Sequence, residues 1–190
     1  MARIGLKSLT YATISTGGEG SAVVYTGGVM KGDMMMRADV TLNHEDVKMF
    51  ADNHAVERAN GVTGGTIALE LAKLPFDVQE AILGYAATSN ELTVTEDPAP
   101  YVGFGYITCE IEGGVKSYMG YWFPKCQFGL DSDSASSKGD NTEFQSNQLT
   151  GEILGVVTTA GGKAEFYYKD KESTEALATA WLKTKAGIST

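Results

Sequence analysis

Histidine, cysteine and acidic side chains are the groups of this 190-residue chain that could bind a metal or transfer protons. The stretch HEDVK, which begins at His44, starts like the zinc-protease motif H-E-x-x-H, but Lys48 stands where the second zinc-binding histidine is required. His54 is the other histidine of the chain, and the spacing of the pair relative to Cys109 and Cys126 is not that of a zinc site. We therefore predict no metal ion and no cofactor.

Four acidic residues of one polar segment offer a second possible site. Asp131, Asp133, Asp140 and Glu143 could pair as general acid and base, or could bind calcium. Calcium loops of the D-x-[DN]-x-[DN]-G type need a glycine at the sixth place, and the residue at that place after Asp131 is not glycine. A solvated acidic loop is the simpler interpretation.

The glycine-rich stretches do not form nucleotide-binding motifs. The stretch AGGKA resembles the end of a phosphate-binding loop, but Val157 stands at the first glycine position and Ala164 replaces the hydroxyl that should hold magnesium. Gly103 and Gly105 lie inside a strand-like run and open no helix, so they do not form a dinucleotide cradle. No G-x-S-x-G elbow is present. We predict that the chain is not an enzyme.

Composition and charge limit the classes of protein that the chain can belong to. Hydrophobic residues make up 43% and charged residues 21%, which predicts one folded domain spanning residues 1–190. The net charge of −9 argues against gripping nucleic acid through its phosphates. No apolar run approaches the ~20 residues needed to cross a bilayer, and the N-terminus lacks the apolar core of a signal peptide. We expect folding in a reducing cytoplasm, without membrane insertion.

Short β-branched and aromatic runs between glycine turns predict a mainly antiparallel β protein. In the run 104–111, Tyr106, Thr108 and Glu110 alternate with apolar residues, which predicts one wet face and one buried face. Gly113 and Gly114 predict a two-residue hairpin turn, and Pro124 favours an edge or a bulge in the returning strand. Further strands are predicted at 38–43, 47–57, 66–71 and 118–128, at 143–154, and in a hairpin of 149–158 with 163–168 around Gly161 and Gly162.

Two helices interrupt the strands. The first begins at Pro75 and ends at Gly84. The second, over 173–186, has Ser173 or Thr174 as its cap and Gly187 as its stop. Its apolar stripe of Leu177, Ala178, Trp181 and Leu182 predicts that this C-terminal helix packs against the sheet.

Two long loops are predicted at 17–36 and 129–141. The first contains Met34, Met35 and Met36, which cannot all face one core if the chain is extended, because successive side chains alternate sides. Two interpretations carry equal weight, a locally buried loop and a loop that is ordered against a neighbouring subunit.

Several stretches together resemble the major tail protein family of long-tailed, non-contractile bacteriophages. The central part carries the most specific motifs, and the opening strand, the strand-then-helix unit and the closing helix also fit; the segment 17–36 is the least comparable part. The stretches are IGLKSLTYATI, TGGTIALELAKLPFDVQEAILGY, APYVGFGYITCEIEGGVKSYMGYWFPKCQF, SKGDNTEFQSNQLTGEIL and STEALATAWL.

The resemblance implies a β-sandwich or barrel-like tail-tube fold with a helix at its flank and long loops between subunits. It implies hexameric rings that stack into a tail tube, whose inner wall is made by sheets joined edge to edge. It further implies a virion protein that is made and assembled in the host cytoplasm. Its partners would be other copies of itself, the tape-measure protein, the tail terminator, distal tail proteins and double-stranded DNA in the lumen.

Within that framework the sequence suggests which residues make contacts. We interpret 129–141 as a loop that grips a neighbouring subunit or ring, with strands at its base. An acidic lumen would let DNA pass without binding. The predicted subunit and ring contacts are Met34, Met35, Met36, Asp131, Asp133, Lys138 and Asp140, and the predicted lumen acids are Asp39, Glu45, Asp46, Asp52 and Glu57.

Three alternatives remain at this point. The nearest is the tube protein of a contractile tail, a phage-like bacteriocin or a secretion system, which shares the ring architecture. A carbohydrate-binding β-sandwich would place Tyr118, Tyr121 and Trp122 on an exposed sheet face, although packing is the simpler role for these aromatics. An unrecognised hydrolase would need a pocket with a carboxylate pair, for which the sequence offers no motif.

Overall fold

The computed structural model describes residues 2–32, 34–51, 54–88, 90–132 and 146–188, and its side-chain description also leaves out 2, 47–51 and 54–59. Ten strands and two helices form within these residues. They are β1 (Ala2–Thr16), β2 (Val24–Lys31), β3 (Met35–Ala51), β4 (His54–Leu71), α1 (Phe76–Leu83), β5 (Ala86–Ala87), β6 (Leu92–Thr93), β7 (Val102–Glu112), β8 (Val115–Ser132), β9 (Asn147–Ile153), β10 (Tyr168–Glu172) and α2 (Glu175–Lys185).

One antiparallel sheet contains most of the chain, in the strand order β2-β1-β7-β8-β9-β4-β3, and β10 pairs with β8 beside β9. The sheet curls until β1 lies against β3, although the two strands are not hydrogen-bonded neighbours. Strands β5 and β6 form a separate short ribbon. The curl gives the sheet an inner and an outer face, as in a β-sandwich. The predicted fold class, mainly β with two helices, is confirmed.

The inner face holds the larger core. Phe104 and Phe123 are fully buried there, and the Tyr106 and Tyr121 rings stack with their centroids 4.9 Å apart. Helix α1 contributes its apolar side to the same core, including the fully buried Val78. Burying aromatic side chains of this size is the largest favourable contribution that the fold can draw on.

The outer face is covered by α2. Leu182 and Ala178 pack there on Trp122, which is 1% exposed. Strand glycines make room for this contact: a Cβ at Gly105 would lie 2.6 Å from Leu182, and one at Gly120 would lie 2.7 Å from Trp181. The apolar stripe of the C-terminal helix therefore packs on the sheet, as the sequence predicts.

The prediction of one wet face in the run 104–111 is wrong. Tyr106, Thr108 and Glu110 are 4%, 6% and 4% exposed, because the curled sheet covers the face that alternation assigns to solvent. Ile107 on the opposite face is buried as well, because it lies under α2. Alternation predicts the two faces of the strand correctly, but it does not show what covers them.

The turn between β7 and β8 is the predicted two-residue hairpin, and both Gly113 and Gly114 have positive φ, at 57° and 83°. Pro124 lies at a bulge, since Val102 pairs with Cys126 and Phe104 with Phe123. On the other side of β8, β10 pairs as far as Trp122 and β9 starts pairing at Cys126. Pro124 thus lies between the part of β8 that pairs with β10 and the part that pairs with β9. On this side of β8 no ladder hydrogen bond requires the backbone N–H that proline lacks.

Strands β3 and β4 form one long hairpin, paired from Met35 with Leu71 to Ala51 with His54. The three strands predicted at 38–43, 47–57 and 66–71 are parts of these two. The range 47–57 contains the end of β3 and the start of β4, with residues 52–53 outside the described part of the chain.

Both predicted long loops are partly strand. The prediction of a loop over 17–36 is wrong for Val24–Lys31, which forms β2 and pairs with β1, and for the start of β3. In the segment 129–141, β8 continues to Ser132, and 133–145 lies outside the described residues. The start of the strand predicted at 143–154 falls in the same undescribed stretch.

The hairpin predicted for 149–158 with 163–168 is reduced to one bridge. Val156 and Glu165 exchange backbone hydrogen bonds of 3.0 and 2.8 Å. The chain then leaves β9, and β10 pairs with β8 instead.

Both helices end where their capping residues predict. Pro75 is the N-cap of α1, and Gly84 adopts the left-handed conformation at its C-cap. In α2, Thr174 accepts a hydrogen bond from the Leu177 N–H at 3.4 Å, and Lys183 and Lys185 lie in the last turn. Among the described helices, none has the length and apolarity of a membrane span.

Candidate assembly surfaces

Strands β2 and β3 are the two ends of the main sheet. Each of them pairs with one neighbour in the ladders that the described residues form. The outer side of an edge strand presents backbone N–H and C=O groups that can pair with another chain. The subunit therefore carries two sheet edges that a second copy could extend.

The end of the β3–β4 hairpin extends beyond the sheet. Strand β9 covers β4 from Gly65 to Leu71, so the residues 43–51 and 54–64, here called the arm, pair with each other in a two-stranded ribbon. At the usual rise along a strand, the arm is roughly 30 Å long. Its described side chains at 43–46 are all exposed. An isolated two-stranded ribbon is marginally stable at best, so the arm needs a further contact.

The predicted lumen acids lie on this hairpin but do not share one face. Asp39 is 53% exposed and pairs with Arg37 at 2.6 Å. Glu45 and Asp46 are consecutive strand residues, so their side chains point to opposite faces of the ribbon. Asp52 lies outside the described residues, and for Glu57 the backbone pairing with Met49 is described but the side chain is not.

The three methionines have different environments. Met34 is 2% exposed and belongs to the inner core, whereas Met36 is 57% exposed and Met35 is half-buried. Met34 therefore fills the core of its own subunit, which leaves it little surface for the predicted subunit contact. Met36 is the member of the run with accessible apolar surface.

The gripping loop is described only at its base. Asp131 is exposed and accepts a hydrogen bond from the Thr150 hydroxyl across the β8–β9 ladder. Asp133, Lys138 and Asp140 lie outside the described residues.

Of the three aromatic residues expected of a carbohydrate-binding face, Tyr118 is half-buried and the other two are in the interior. Tyr121 and Trp122 are 5% and 1% exposed, and they lie on opposite faces of β8. The indole N–H of Trp122 donates to the Tyr25 hydroxyl at 3.3 Å, and that hydroxyl donates to the Pro124 carbonyl at 2.9 Å. Packing accounts for both residues, and no aromatic platform is formed by them.

A polar cavity that sequence analysis did not predict opens at one end of the inner core. It has a volume of about 500 Å³, and one wall is the stretch 38–42 of the edge strand β3. We call it the mouth cavity. The residues with polar groups that line the rest of it are Arg3, Tyr106, Tyr121, Tyr167 and Lys169. These residues come from four strands and the segment before β10, so no local motif could have indicated it.

Electrostatics in the mouth cavity centre on an ion pair. The Arg3 Nε donates to Glu110 Oε1 at 3.1 Å, and this hydrogen bond raises the pKa of Arg3 above its usual value. Burial is the main cause that raises the pKa of Tyr106 above its usual value. The Lys169 Nζ lies 5.1 Å from the centre of the Tyr121 ring and 5.3 Å from that of Tyr167. Cations held over aromatic faces in this way are attracted by the ring quadrupole.

The described histidines, cysteines and acidic residues are dispersed over the fold. In the described part of the chain, no three His, Cys, Asp or Glu residues are placed to hold a metal ion. Burial raises the pKa of the Cys126 thiol, which therefore stays neutral and a poor nucleophile near pH 7.

Open sheet edges and a projecting ribbon are features of a subunit that is completed by its neighbours. A family model for the phage tail tube protein matches residues 1–185. The chain belongs to the phage tail tube protein family. A search of curated proteins finds no match for it.

Family membership establishes a structural role in the phage tail tube, and hence a component of the virion. A tail tube protein is built to assemble with copies of itself and with other tail proteins, and its functional residues are then contact residues. The surfaces of interest in this tail tube protein are accordingly its edges, its arm and the mouth cavity.

Proposed function

We propose that this tail tube protein acts as a single domain of 1–190 that forms hexameric rings, and that the rings stack into the tube of a non-contractile tail. The observation that carries the proposal is the arm, a ribbon of roughly 30 Å that projects from the sheet with its side chains at 43–46 in solvent. A structural tail tube role supplies the partner that such a ribbon needs, which is the next subunit.

Pairing between the free edges is the means of ring closure in this proposal. Edge strands β2 and β3 lie at opposite ends of the strand order, so one subunit can offer β3 while its neighbour offers a different strand. A contact between two different surfaces generates a closed ring when the rotation per subunit closes. Closure also removes the unpaired edges that would otherwise cause uncontrolled association.

Charge supports a tube that conducts DNA. The net charge of −9 would repel phosphate from the surface and allow DNA to move through the lumen without binding. The proposed lumen face includes Asp39 on β3 and acids of the arm. The tape-measure protein, the tail terminator and the distal tail proteins are the proposed partners at the bore and ends of the tube, which is assembled in the cytoplasm of the host.

Replacing the arm tests the proposal. In the variant, residues 44–63 are replaced by Asn-Gly, which can form a tight turn between the paired positions Asn43 and Gly64. We expect the full chain to form hollow tubes of uniform bore in negative-stain electron microscopy. The variant should stay a folded monomer, because the replaced residues make no ladder with β9.

His44→Ala is the matched control, because it changes an exposed arm side chain and keeps the length of the arm. It should form tubes like the full chain. Tubes of the same bore from the arm-replacement variant would refute the role of the arm, and a full chain that never assembles with itself or with tail initiation proteins would refute the proposed function.

A further inference from the structure

The mouth cavity contains a buried hydroxyl that has no hydrogen-bond partner in the described part of the chain. Tyr121 is 5% exposed, and its hydroxyl oxygen is buried and unpaired. A buried O–H group without an acceptor costs free energy, so a native protein retains one where a partner arrives later or where a function requires it. The position of this hydroxyl in a cavity of about 500 Å³ leaves room for such a partner.

Cationic side chains lie on the same cavity. Arg3 is 62% exposed at its side chain, and its Cζ lies 5.7 Å from the centre of the Tyr121 ring. Lys169 is exposed and rests on the faces of Tyr121 and Tyr167 without an ion pair among the described residues.

Each of the anionic residues close by is paired with an arginine. Glu110 accepts from the Nε of Arg3 at Oε1, while its buried Oε2 has no hydrogen-bond partner among the described residues, and Asp39 pairs with Arg37 at 2.6 Å. An ammonium group, a guanidinium group with further N–H donors and a phenol O–H therefore converge on one space. This donor set matches a carboxylate, which accepts at two oxygens.

We propose that the mouth cavity binds a carboxylate side chain from a second copy of this chain. The inference rests on the proposed self-assembly and adds to it a specific contact. Two observations favour a second copy as the source. The chain has 24 acidic against 15 basic residues, so its surface offers carboxylates in excess. One wall of the cavity is 38–42 of β3, an edge strand that the proposed ring closure brings against a neighbour.

Such a contact explains why the cavity stays polar inside an aromatic core. The incoming carboxylate accepts a hydrogen bond from the Tyr121 hydroxyl and ion-pairs with Lys169, while Arg3 remains bonded to Glu110. The subunit then carries an incomplete hydrogen-bond network as a monomer, and the network is completed on assembly. Charge-assisted bonds of this kind are also directional, so they fix the register of two subunits as well as holding them.

Cross-linking between labelled subunits tests the inference. Equal amounts of the full chain with natural nitrogen and with ¹⁵N are assembled together and treated with a water-soluble carbodiimide, which joins amines to carboxylates in direct contact. Mass spectrometry should find Lys169 joined to an acidic residue of a differently labelled copy. Lys7 and Glu175, which lie 3.1 Å apart within one chain, provide an internal control that should stay within one copy. A Lys169 that is never joined to another copy would overturn the inference.

Two variants give an independent measurement. Tyr121→Phe removes the unpaired hydroxyl, so the monomer should remain at least as stable, yet the concentration required for assembly should rise about tenfold. Lys169→Gln should act in the same direction. Lys163→Gln is the matched control, because Lys163 is an exposed lysine outside the cavity. Variants that assemble as readily as this control would overturn the inference while leaving the proposed tube intact.

A full chain that does not assemble would refute the proposed function, and the cavity is then tested on the monomer. Titration with N-acetylglutamate, followed by NMR, should give saturable shifts for Lys169 and Tyr121 that disappear in Tyr121→Phe. Shifts that do not saturate, or that persist in the variant, would show that the cavity has no carboxylate site.

Discussion

The sandwich body and the arm contain parts of the same two strands, and they differ in what their side chains contact. In the body, β4 places Ile67, Leu69 and Leu71 in the inner core, each at most 3% exposed. In the arm, the described residues 43–46 of β3 are exposed on both faces. Continuous strand pairing therefore runs from a region that buries its side chains into one that does not.

We expect this difference to separate the residues that stabilise the subunit from the residues that make contacts between subunits. We expect the body to fold as a monomer, because the inner face of its sheet is closed by the curl with α1 and the outer face by α2. The arm pairs as a two-stranded ribbon, which is marginally stable by itself, so we expect its order to depend on what it docks against. Substitutions in the core of the body should therefore change stability, and replacement of the arm should change assembly.

The largest effect on stability is expected from Phe104→Ala. Phe104 is fully buried and contacts the rings of Phe123 and Phe128, so its truncation should lower the free energy of unfolding by about 3–5 kcal/mol. Urea unfolding monitored by circular dichroism measures this. His44→Ala in the arm should change the free energy by less than about 0.5 kcal/mol. Equal losses of unfolding free energy in Phe104→Ala and His44→Ala would contradict the difference between the body and the arm.

A pair of glycines provides a smaller and more specific test. A Cβ at Gly105 would lie 2.5 Å from the Tyr121 carbonyl oxygen and 2.6 Å from Leu182, whereas a Cβ at Gly61 in the arm meets nothing within 4 Å. Gly105→Ala should destabilise the monomer by about 1–3 kcal/mol, because α2 has to move away from the sheet. Gly61→Ala should be neutral or slightly stabilising. The same urea experiment distinguishes the two, and a neutral Gly105→Ala would show that α2 packs loosely.

The buried phenols that respond to alkaline pH lie in the body, since the arm sequence contains no tyrosine. Burial raises the pKa of Tyr25 and of Tyr11 to about 12, above the value of about 10 in an unfolded chain. The folded state therefore favours the neutral phenols. Their contribution to stability is complete below about pH 10 and is lost as the pH rises toward about 12.

We expect the free energy of unfolding to fall by about 1–2 kcal/mol between about pH 9 and pH 11. Urea titrations at several pH values, with phenolate absorbance recorded in parallel, measure it. Tyr25→Phe should show a flatter pH dependence, together with a constant loss from the missing hydrogen bond to the Pro124 carbonyl. An unchanged slope would assign the alkaline transition to other groups.

The smallest effect is expected at a backbone position of the body. Ser8 has a φ of +62° at a bulge of β1, a conformation that costs a residue with a Cβ free energy. Ser8→Gly should stabilise the monomer by about 0.5 kcal/mol, the relief of strain being partly offset by the entropy of glycine in the unfolded chain. Ser15→Gly on the same strand, where φ is ordinary, should destabilise it slightly.

Local rules in the sequence predicted the features that depend on local geometry. The hairpin at Gly113 and Gly114, the bulge at Pro124 and the cap at Thr174 each follow from the conformational preference of one or two residues. The burial of Glu110 and Thr108 could not be predicted in this way, because it depends on a sheet that closes over strands distant in sequence.

Strand β2 shows why a correct rule can still mislead. The glycines in its sequence, YTGGVMK, favour a turn, and Gly27 does have a positive φ of 62°. Gly28 has a different role, because a Cβ there would lie 2.5 Å from the carbonyl oxygen of Ala186, at the end of α2. A glycine that permits close packing and one that permits a turn look the same in the sequence. The mouth cavity was missed for a related reason, since its residues come from distant segments that meet only in the folded chain.

Pairing of β1 with β7 also sets a schedule for making the protein. Tyr11 pairs with Phe104, so the ribosome must add about 90 residues before the first strand can find the seventh. At synthesis rates of about 5–20 residues per second, this delay is of the order of 5–20 s. During this time the N-terminal strand can pair with β2 but not with β7, and non-local pairing of the second kind is slow even in a finished chain. Translation therefore sets the earliest time at which the main sheet of this tail tube protein can close.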